Sequence, residues 1–356
     1  MEKQTRQSNF EILRMLSIVM IVAFHSNHSW NIVNHFNSYP SNQLLYDCIR
    51  YSGELGVNCF ILISGYFLPT TTFKWKKLFL LILQVYFYFY GCRIAIIMFT
   101  KAPIDAYDLS SWFLPILQGQ WWFISAYILC YILTPFLRKL IFTMNKKEFE
   151  LLICSQLLIW SVFPTLFLTT IGETTDSMIF YNRYIWMIFL YFVGAYIQLH
   201  GLPIINTAKK SLVVFVSTAV ILFLYIFLIE FFFQDTKTAI QFWDCNSLFQ
   251  LILSILLFCF FKNLTIGYHS KINRISACVL GIYLFQEGPF LHNIWHKVFV
   301  FAGHETDPFL FARILFAVIV LMLAGIIIEL CRKPFEKYIS KILDRIEARY
   351  FTPSKP

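Results

Sequence analysis

Charged side chains are scarce in this chain of 356 residues. Asp, Glu, Lys and Arg make up 14% of it, against about 25% in soluble domains. Hydrophobic residues reach 58% and aromatic residues 19%. This composition excludes an ordinary soluble domain. Apolar runs of about 20 residues would fill the chain with about ten membrane spans and leave no room for a separate soluble domain.

Three other patterns are absent. The net charge of +9 is not gathered into a basic patch or an Arg-rich arm, so no nucleic acid is expected as a partner. The nine cysteines lack the paired spacing of zinc or redox sites, and we interpret them as packing residues. A disulfide between Cys48 and Cys245 stays open, since both are expected on the outer side. The first apolar run lacks a small-residue cleavage site, so we expect it to remain as the first span.

Continuous apolar runs predict the architecture. They are predicted to be helices, because unpaired backbone groups cost several kcal/mol each in lipid and the runs do not alternate like barrel strands. The predicted fold is therefore an all-α integral membrane protein with about ten transmembrane helices. The predicted spans are 10–27, 52–68, 78–99, 121–142, 149–170, 184–200, 211–233, 247–266, 275–299 and 309–331.

The loops predict the orientation. Most of the 29 Lys and Arg residues fall on one side of these spans, which the positive-inside rule places in the cytoplasm together with the N-terminus and the C-terminus. We expect a multi-pass protein of the cytoplasmic cell membrane. Residues 1–331 are predicted to form the membrane domain, and residues 332–356 a basic amphipathic cytoplasmic tail that lies on the inner leaflet. Whether the polar outer loop 27–46 lines an acceptor pocket or caps the bundle stays open.

The first span carries ionisable residues, which are expensive in a membrane and therefore candidates for function. Arg14 and His25 are 11 residues apart, which returns the helix to within about 20° of the same direction. They share one face, about 16 Å apart along the axis. The alternative is an inner ion pair between Glu11 and Arg14, with His25 at the outer interface. Spacing alone does not decide between the two.

Four segments in order are typical of one family. They are residues 9–14 followed by His25, the second-span segment 53–67 that ends in Ser-Gly-Tyr-Phe, the Trp-Trp-Phe-Ile segment 121–124 with the later Pro135, and the segment 280–286, which reads Leu-Gly-Ile-Tyr-Leu-Phe-Gln. Together they resemble the membrane-bound O-acyltransferases of acyltransferase family 3. The resemblance covers roughly residues 9 to 330, nearly the whole chain.

The resemblance implies transfer of an acyl group, usually from cytoplasmic acetyl-CoA, to a hydroxyl of an extracytoplasmic or lipid-linked glycan. It implies that His25 is the catalytic histidine and that Arg14 is needed for activity. The basic motif that many members have as Arg-x-x-Arg corresponds here to Lys74, Lys76 and Lys77. Lysine binds phosphate as a point charge and lacks the bidentate fork of arginine. Many members carry His where this chain has Gln286, so a second histidine at that position takes no part here.

The chemistry of the residues agrees with this implication. A neutral imidazole such as that of His25 can take the proton of an attacking sugar hydroxyl near pH 7. The phosphates of CoA would be bound by cations, for which Arg14, Lys74, Lys76 and Lys77 are the candidates. Acyl-CoA is thus expected as co-substrate, entering from the inside while the glycan arrives from the outside. No metal is expected, because the His292 and His296 pair has no third ligand.

Other polar residues of the spans have two interpretations each. Glu54 either orients the His25 imidazole, as carboxylates often do, or pairs with Arg50 four residues earlier. Asn58, Trp121 and Trp122 are candidates for substrate binding. The alternatives for them are helix packing for Asn58 and an aromatic belt for the tryptophans.

Further charges within the spans are compatible with two different functions. They either form structural ion pairs or line an outward acceptor cavity, and they are Arg93, Glu230, Glu287 and Arg313. A second hypothesis is a transporter or exporter of a polysaccharide or acylated intermediate, because intramembrane charges also occur in such helix bundles. Inverted repeats and broken helices would favour it, and neither is clear in the sequence.

Overall fold

The computed structural model describes residues 7–26, 40–100, 112–166, 182–229, 232, 244–288, 291–299 and 307–350. In these ranges the chain is helical and has no strand, as predicted. The helices are α1 (Ser8–Ser26), α2 (Pro40–Phe67), α3 (Trp75–Thr100), α4 (Trp122–Thr143), α5 (Lys146–Leu157), α6 (Arg183–His200), α7 (Ala208–Leu228), α8 (Leu248–Lys262), α9 (Ser270–Ser276), α10 (Val279–Gln286), α11 (His292–Val298) and α12 (Leu310–Tyr350). Leu68–Thr70 and Pro203–Ile205 form 3-10 turns, and Leu158–Val162 is π-helical.

Six helices of the described part are long and apolar enough to cross a membrane. They are Ser8–Ser26, Trp75–Met98, Trp122–Thr143, Lys146–Leu166, Ala208–Leu228 and Leu310–Glu347. Two other long helices, α2 and α6, carry more polar residues, which suits their central positions: α2 packs against α1, α6 and α8. A helix enclosed by other helices needs no continuous apolar surface, because its polar groups can find partners in the bundle.

The predicted span 275–299 is not one helix. It is replaced by the three short helices α9, α10 and α11, with turns at residues 277–278 and at Glu287. Pro289 follows Gly288 in the sequence, and a proline disfavours helical backbone at the preceding residue. The predicted span 52–68 is part of a longer helix, since α2 begins at Pro40, inside the predicted outer loop. Loop residues 27–39 lie outside the described part of the chain.

The crossing of α2 and α6 depends on two glycines. A Cβ atom on Gly65 would meet the backbone of Tyr191, and one on Gly194 would lie 2.6 Å from the carbonyl oxygen of Leu62. Small residues allow this close backbone approach, which supplies van der Waals contact where lipid provides no hydrophobic driving force between helices. The crossing fixes α2, and α1 packs along α2.

The last helix continues past the predicted boundary at residue 331. It is one helix to Tyr350, with Pro334 inside it. Its later part reaches the start of α3, where Asp344 pairs with Lys76. The predicted contact of the tail with the inner leaflet stays a prediction.

Candidate active site

A cavity of about 560 Å³ lies between α1, α2, α3, α4, α9 and α10. Helix α1 lines it over most of its length, from Glu11 through Arg14 to His25. The two residues that were predicted to share one helix face therefore line one space. Because α1 rises about 1.5 Å per residue, they lie at the two ends of a stretch of about 16 Å.

The Arg14 end of the cavity is polar. Arg14 pairs with Glu11, which also accepts a hydrogen bond from Ser276 at the end of α9. The Glu11 side chain is 4% exposed, and that of Arg14 is 29% exposed. Gln7, Thr71 and Lys77 line the same end. The Glu11 carboxylate thus holds the guanidinium in place at the wall of the cavity. The ion pair between Glu11 and Arg14, one of the two interpretations left open, is present, and both of its members line the cavity.

The three predicted donor-binding lysines have different surroundings. Lys77, on the first turn of α3, lines the cavity. Lys76 is paired with Asp344 of α12. Lys74 lies just before α3 and is exposed, and its backbone contacts the hydroxyl of the cavity residue Tyr131, the N–H lying 3.3 Å from the oxygen. The structure therefore brings Lys77 to the cavity, Lys74 to its margin and Lys76 into an ion pair.

At the other end, a carboxylate lies beside the imidazole. The Nδ1 atom of His25 is 3.2 Å from Oε2 of Glu287, and the two side chains are 18% and 16% exposed. Glu287 directly follows α10, where the chain breaks the predicted span. Because the helix ends here, the Glu287 carboxylate contacts His25 from a turn and not from a helical position. A neutral imidazole in this position donates from Nδ1 to Glu287 and carries its lone pair on Nε2.

Glu287 thus has the contact that the sequence suggested for Glu54. Glu54 interacts instead with Cys245, and the charges of Asp244, Arg183 and Arg50 act on it. Glu287 takes this position because α10 is short and ends just before it. Helix periodicity in the sequence does not reveal where α10 begins and ends. Glu287 was recognised only as a buried charge, either structural or lining a cavity. A carboxylate in the turn after a buried apolar helix, ahead of Gly-Pro, is the signal that could have found it.

Two of the three predicted substrate-binding residues lie away from the cavity. The Asn58 amide donates to the carbonyl oxygen of Cys245 at 2.8 Å and accepts from Nε1 of Trp186 at 2.9 Å. Trp121 is buried, with 1% of its surface exposed. Trp122 lines the cavity, and the guanidinium of Arg183 lies 4.8 Å from its ring centre. The alternative of helix packing therefore fits Asn58, whereas Trp122 stays a candidate for contact with substrate.

The other intramembrane charges have partners of several kinds. Arg313 forms an ion pair with Asp307 at 2.6 Å. Arg93 lies 3.5 Å from the ring centre of Trp112. Glu230 lies outside the described residues. Of the two interpretations, an ion pair fits Arg313.

All nine cysteines are free thiols, including Cys48 and Cys245, so the disulfide left open is not formed. No group of three or more His, Cys, Asp and Glu side chains suited to a metal occurs among the described residues. The side chains of His292 and His296 are not among those described. The prediction that no metal is bound stays a prediction.

Comparison with known proteins identifies the family. The family model described as an acyltransferase domain, of acyltransferase family 3, matches residues 7–328, nearly the whole chain. No curated protein and no solved structure matches the chain. The match includes the residues that line the cavity, from Gln7 to Tyr283, and Glu287 beside His25, and the helices fit a protein that crosses the membrane several times. The chain therefore belongs to acyltransferase family 3 and is a multi-pass membrane acyltransferase.

Proposed function

We propose that the protein transfers an acyl group, in the simplest case acetyl, from acyl-CoA to a hydroxyl of an extracytoplasmic or lipid-linked glycan. The observation that carries this proposal is the single cavity that joins Arg14 and Lys77 at one end to His25 at the other. A pantetheine arm is long and thin, and about 16 Å along α1 suits its length. The phosphates of CoA would then lie at the Arg14 end and the thioester near His25.

The proposed location is the cytoplasmic membrane, with both termini and the Arg14 end of the cavity facing the cytoplasm. The distribution of Lys and Arg between the predicted loops supports this orientation. The full set of about ten spans belongs to the same proposal. It counts α2, α6, α8 and the broken segment α9–α11 as spans beside the six apolar helices. Helices α2, α6 and α8 pack inside the bundle formed by the more apolar helices.

Donor binding is proposed for the cations at the Arg14 end. Lys77 lines the cavity and Lys74 lies at its margin, so both suit the CoA phosphates. Lys76 has a smaller role, because Asp344 already pairs with it. Arg14 is held by Glu11, and its planar guanidinium suits the carbonyl groups of the pantetheine arm or the adjacent phosphate.

The proposed base is His25. Its Nε2 takes the proton of the acceptor hydroxyl while the hydroxyl oxygen forms a bond to the thioester carbonyl carbon. The carbon–sulfur bond then breaks, and the leaving thiolate takes that proton from the imidazolium, which gives an ester and free CoA. Glu287 holds the ring in the required tautomer through Nδ1 and stabilises the imidazolium. Trp122, on the wall of the cavity, offers a flat face to a sugar ring.

The test is transfer by the purified protein in liposomes. Acetyl-CoA labelled in the acetyl group is supplied on one side of the membrane, and a cell-surface glycan fraction is supplied as acceptor on the other. The glycan is then analysed by mass spectrometry. We expect a gain of one acetyl group per modified sugar. His25→Ala should lower the rate by about 10²–10⁴-fold, because a general base contributes that much. The matched control is His200→Ala, at the exposed end of α6. Full activity of His25→Ala would contradict the role of the histidine.

The broken segment α9–α10–α11 favours a second candidate function, transport of a glycan or acylated intermediate. Interrupted helices beside buried polar groups are typical of transport sites. A transporter would move the glycan across the liposome membrane without a change of mass. The same mass measurement therefore separates the two functions.

A further inference from the structure

The hydroxyl of Tyr283 has no part in the mechanism above, although it lies in the same cavity. Tyr283 is on α10 and is 7% exposed, and its side chain lines the cavity together with His25. It is four residues, or about one helical turn, before Glu287. The segment that holds the imidazole through Glu287 therefore also brings a phenol to the His25 end.

The start of α4 determines which atoms surround this phenol. The backbone N–H of Phe123, in the first turn of α4, interacts with the Tyr283 hydroxyl oxygen, and the two rings pack edge to face at 5.7 Å. Trp121, the N-cap residue of α4, makes no side-chain hydrogen bond to the first turn of the helix. The first N–H groups of a helix carry partial positive charge. An N–H that donates to the phenol oxygen polarises the hydroxyl and makes it a stronger donor toward a third group.

Acyl transfer requires such a donor. When the acceptor oxygen attacks, the carbonyl electron pair moves onto the carbonyl oxygen, and the negative charge there needs a hydrogen bond until the carbon–sulfur bond breaks and the pair returns. Removing one donor of this kind typically lowers kcat by about 10²–10³-fold. Neither Glu287 nor His25 can serve, because Glu287 is an acceptor and His25 receives the acceptor proton.

On the basis of the proposed acyl transfer, we propose that the Tyr283 hydroxyl donates a hydrogen bond to the thioester carbonyl oxygen as its negative charge develops. The tyrosine keeps its proton throughout, so the proton balance of the His25 mechanism is unchanged. Tyr283 is then a catalytic residue that touches the reacting group, and the first turn of α4 prepares its hydroxyl. The opposing interpretation is structural, in which the ring packs against Phe123 and supports the turn at Glu287.

The first experiment removes the hydroxyl and keeps the ring. Tyr283→Phe should lower kcat by about 10²-fold and change the KM for acetyl-CoA by less than about twofold, because the bond forms in the transition state and not in the ground state. The matched control is Tyr191→Phe, on α6, whose ring is fully buried outside the cavity and whose hydroxyl has no hydrogen-bond partner among the described residues. We expect this control to keep kcat within about twofold of that of the unsubstituted protein.

The second experiment keeps the hydroxyl and changes its acidity. Fluorinated tyrosines introduced at position 283 should raise kcat as the phenol becomes more acidic, at a pH where it stays protonated. A structural role would give no such trend, and this measurement remains informative if Tyr283→Phe folds poorly. Unchanged kcat in Tyr283→Phe, a rise in KM alone, or no trend with acidity would each overturn the inference. If the unsubstituted protein transfers no acyl group, the proposed function itself fails, and the two failures are therefore distinct.

Discussion

Two carboxylates in this bundle have the same appearance in the sequence and very different surroundings. Glu287 and Glu329 are both acidic residues within or beside apolar runs. Glu287 is 16% exposed at the side chain and contacts His25, which lines the cavity. The side chain of Glu329, on α12, is 2% exposed, and Glu329 is not among the residues that line the cavity. Burial is therefore greater for the carboxylate that has no route to substrate.

The oxygens of Glu329 are surrounded by donors. Arg332 donates to them from Nε at 2.9 Å and from Nη2 at 2.7 Å, and the Tyr88 hydroxyl donates at 2.8 Å. Gln84 adds contacts of 3.2 Å from its amide nitrogen. Such saturation is what a buried charge requires to be tolerated. The comparison teaches that an intramembrane charge indicates function only when one of its contacts opens onto a cavity.

One glycine connects the two regions. A Cβ atom on Gly281 of α10 would meet both the Glu329 carboxylate and the Tyr88 hydroxyl. Because α10 also carries Tyr283 and precedes Glu287, the saturated cluster supports the helix that presents the site. The two regions are separate in chemistry and adjacent in space.

The largest effect is expected in the saturated cluster. Glu329→Ala leaves the buried Arg332 without its more deeply buried partner, which should lower the free energy of unfolding by about 3–5 kcal/mol. Denaturant unfolding in detergent measures it. The control is Glu336→Ala, because Glu336 pairs with the same arginine at a side-chain exposure of 36%, and we expect a loss of about 1 kcal/mol or less. A stable Glu329→Ala protein without activity would reverse the comparison.

The next effect is expected beside His25. Glu287→Gln preserves size, but its amide can donate to Nδ1 and favour the tautomer that lacks a basic Nε2, as a carboxamide in this position does in other catalytic histidine sites. We expect kcat to fall by about 10²-fold or more, with the unfolding free energy changed by less than about 1 kcal/mol. Initial rates and denaturant unfolding of the same preparation test this. Loss of stability with normal kcat would assign Glu287 to the structural class of Glu329.

The smallest effect is expected at the far end of the cavity. Lys77→Gln should raise the KM for acetyl-CoA by about fivefold to tenfold, since one charge-assisted contact to phosphate is worth about 1.5–3 kcal/mol before solvent screening. Lys76→Gln is the matched control, because Asp344 already pairs with this lysine, and its KM should change by less than about twofold. Equal effects of the two substitutions on KM would contradict the proposal that Lys77 contacts the CoA phosphates more directly than Lys76.

Much of the fold could be predicted from the sequence, because apolar runs of sufficient length have few alternatives in lipid. The helical class is confirmed, and so are the family and the shared face of Arg14 and His25 along the cavity. The prediction of one continuous span over 275–299 was wrong, because overall apolarity does not reveal that a helix breaks twice inside a bundle. The start of α2 at Pro40, ahead of the predicted span 52–68, was not revealed by apolarity either.

The candidate site was only partly predictable. Periodicity along α1 was sufficient for Arg14 and His25, since both lie on one helix. Tyr283 lines the same cavity and Glu287 contacts His25, both from a part of the chain more than 250 residues away, and no spacing rule relates them to α1. Glu54 lies at a similar depth on a neighbouring helix, yet it interacts with Cys245. Two side chains at the same depth in the membrane meet only if their helices are also rotated toward each other. That rotation is determined by helix packing.

The sequence by itself determined that this chain is helical and apolar, that it belongs to acyltransferase family 3, and that an arginine and a histidine share one face of its first helix. Composition, periodicity and motif order suffice for these properties because each is local or additive along the chain. Only the tertiary structure decided which carboxylate meets the histidine, which lysine lines the cavity and which buried charge is sealed. Those outcomes depend on close approaches between helices that are distant in sequence, such as α10 against α12 at Gly281.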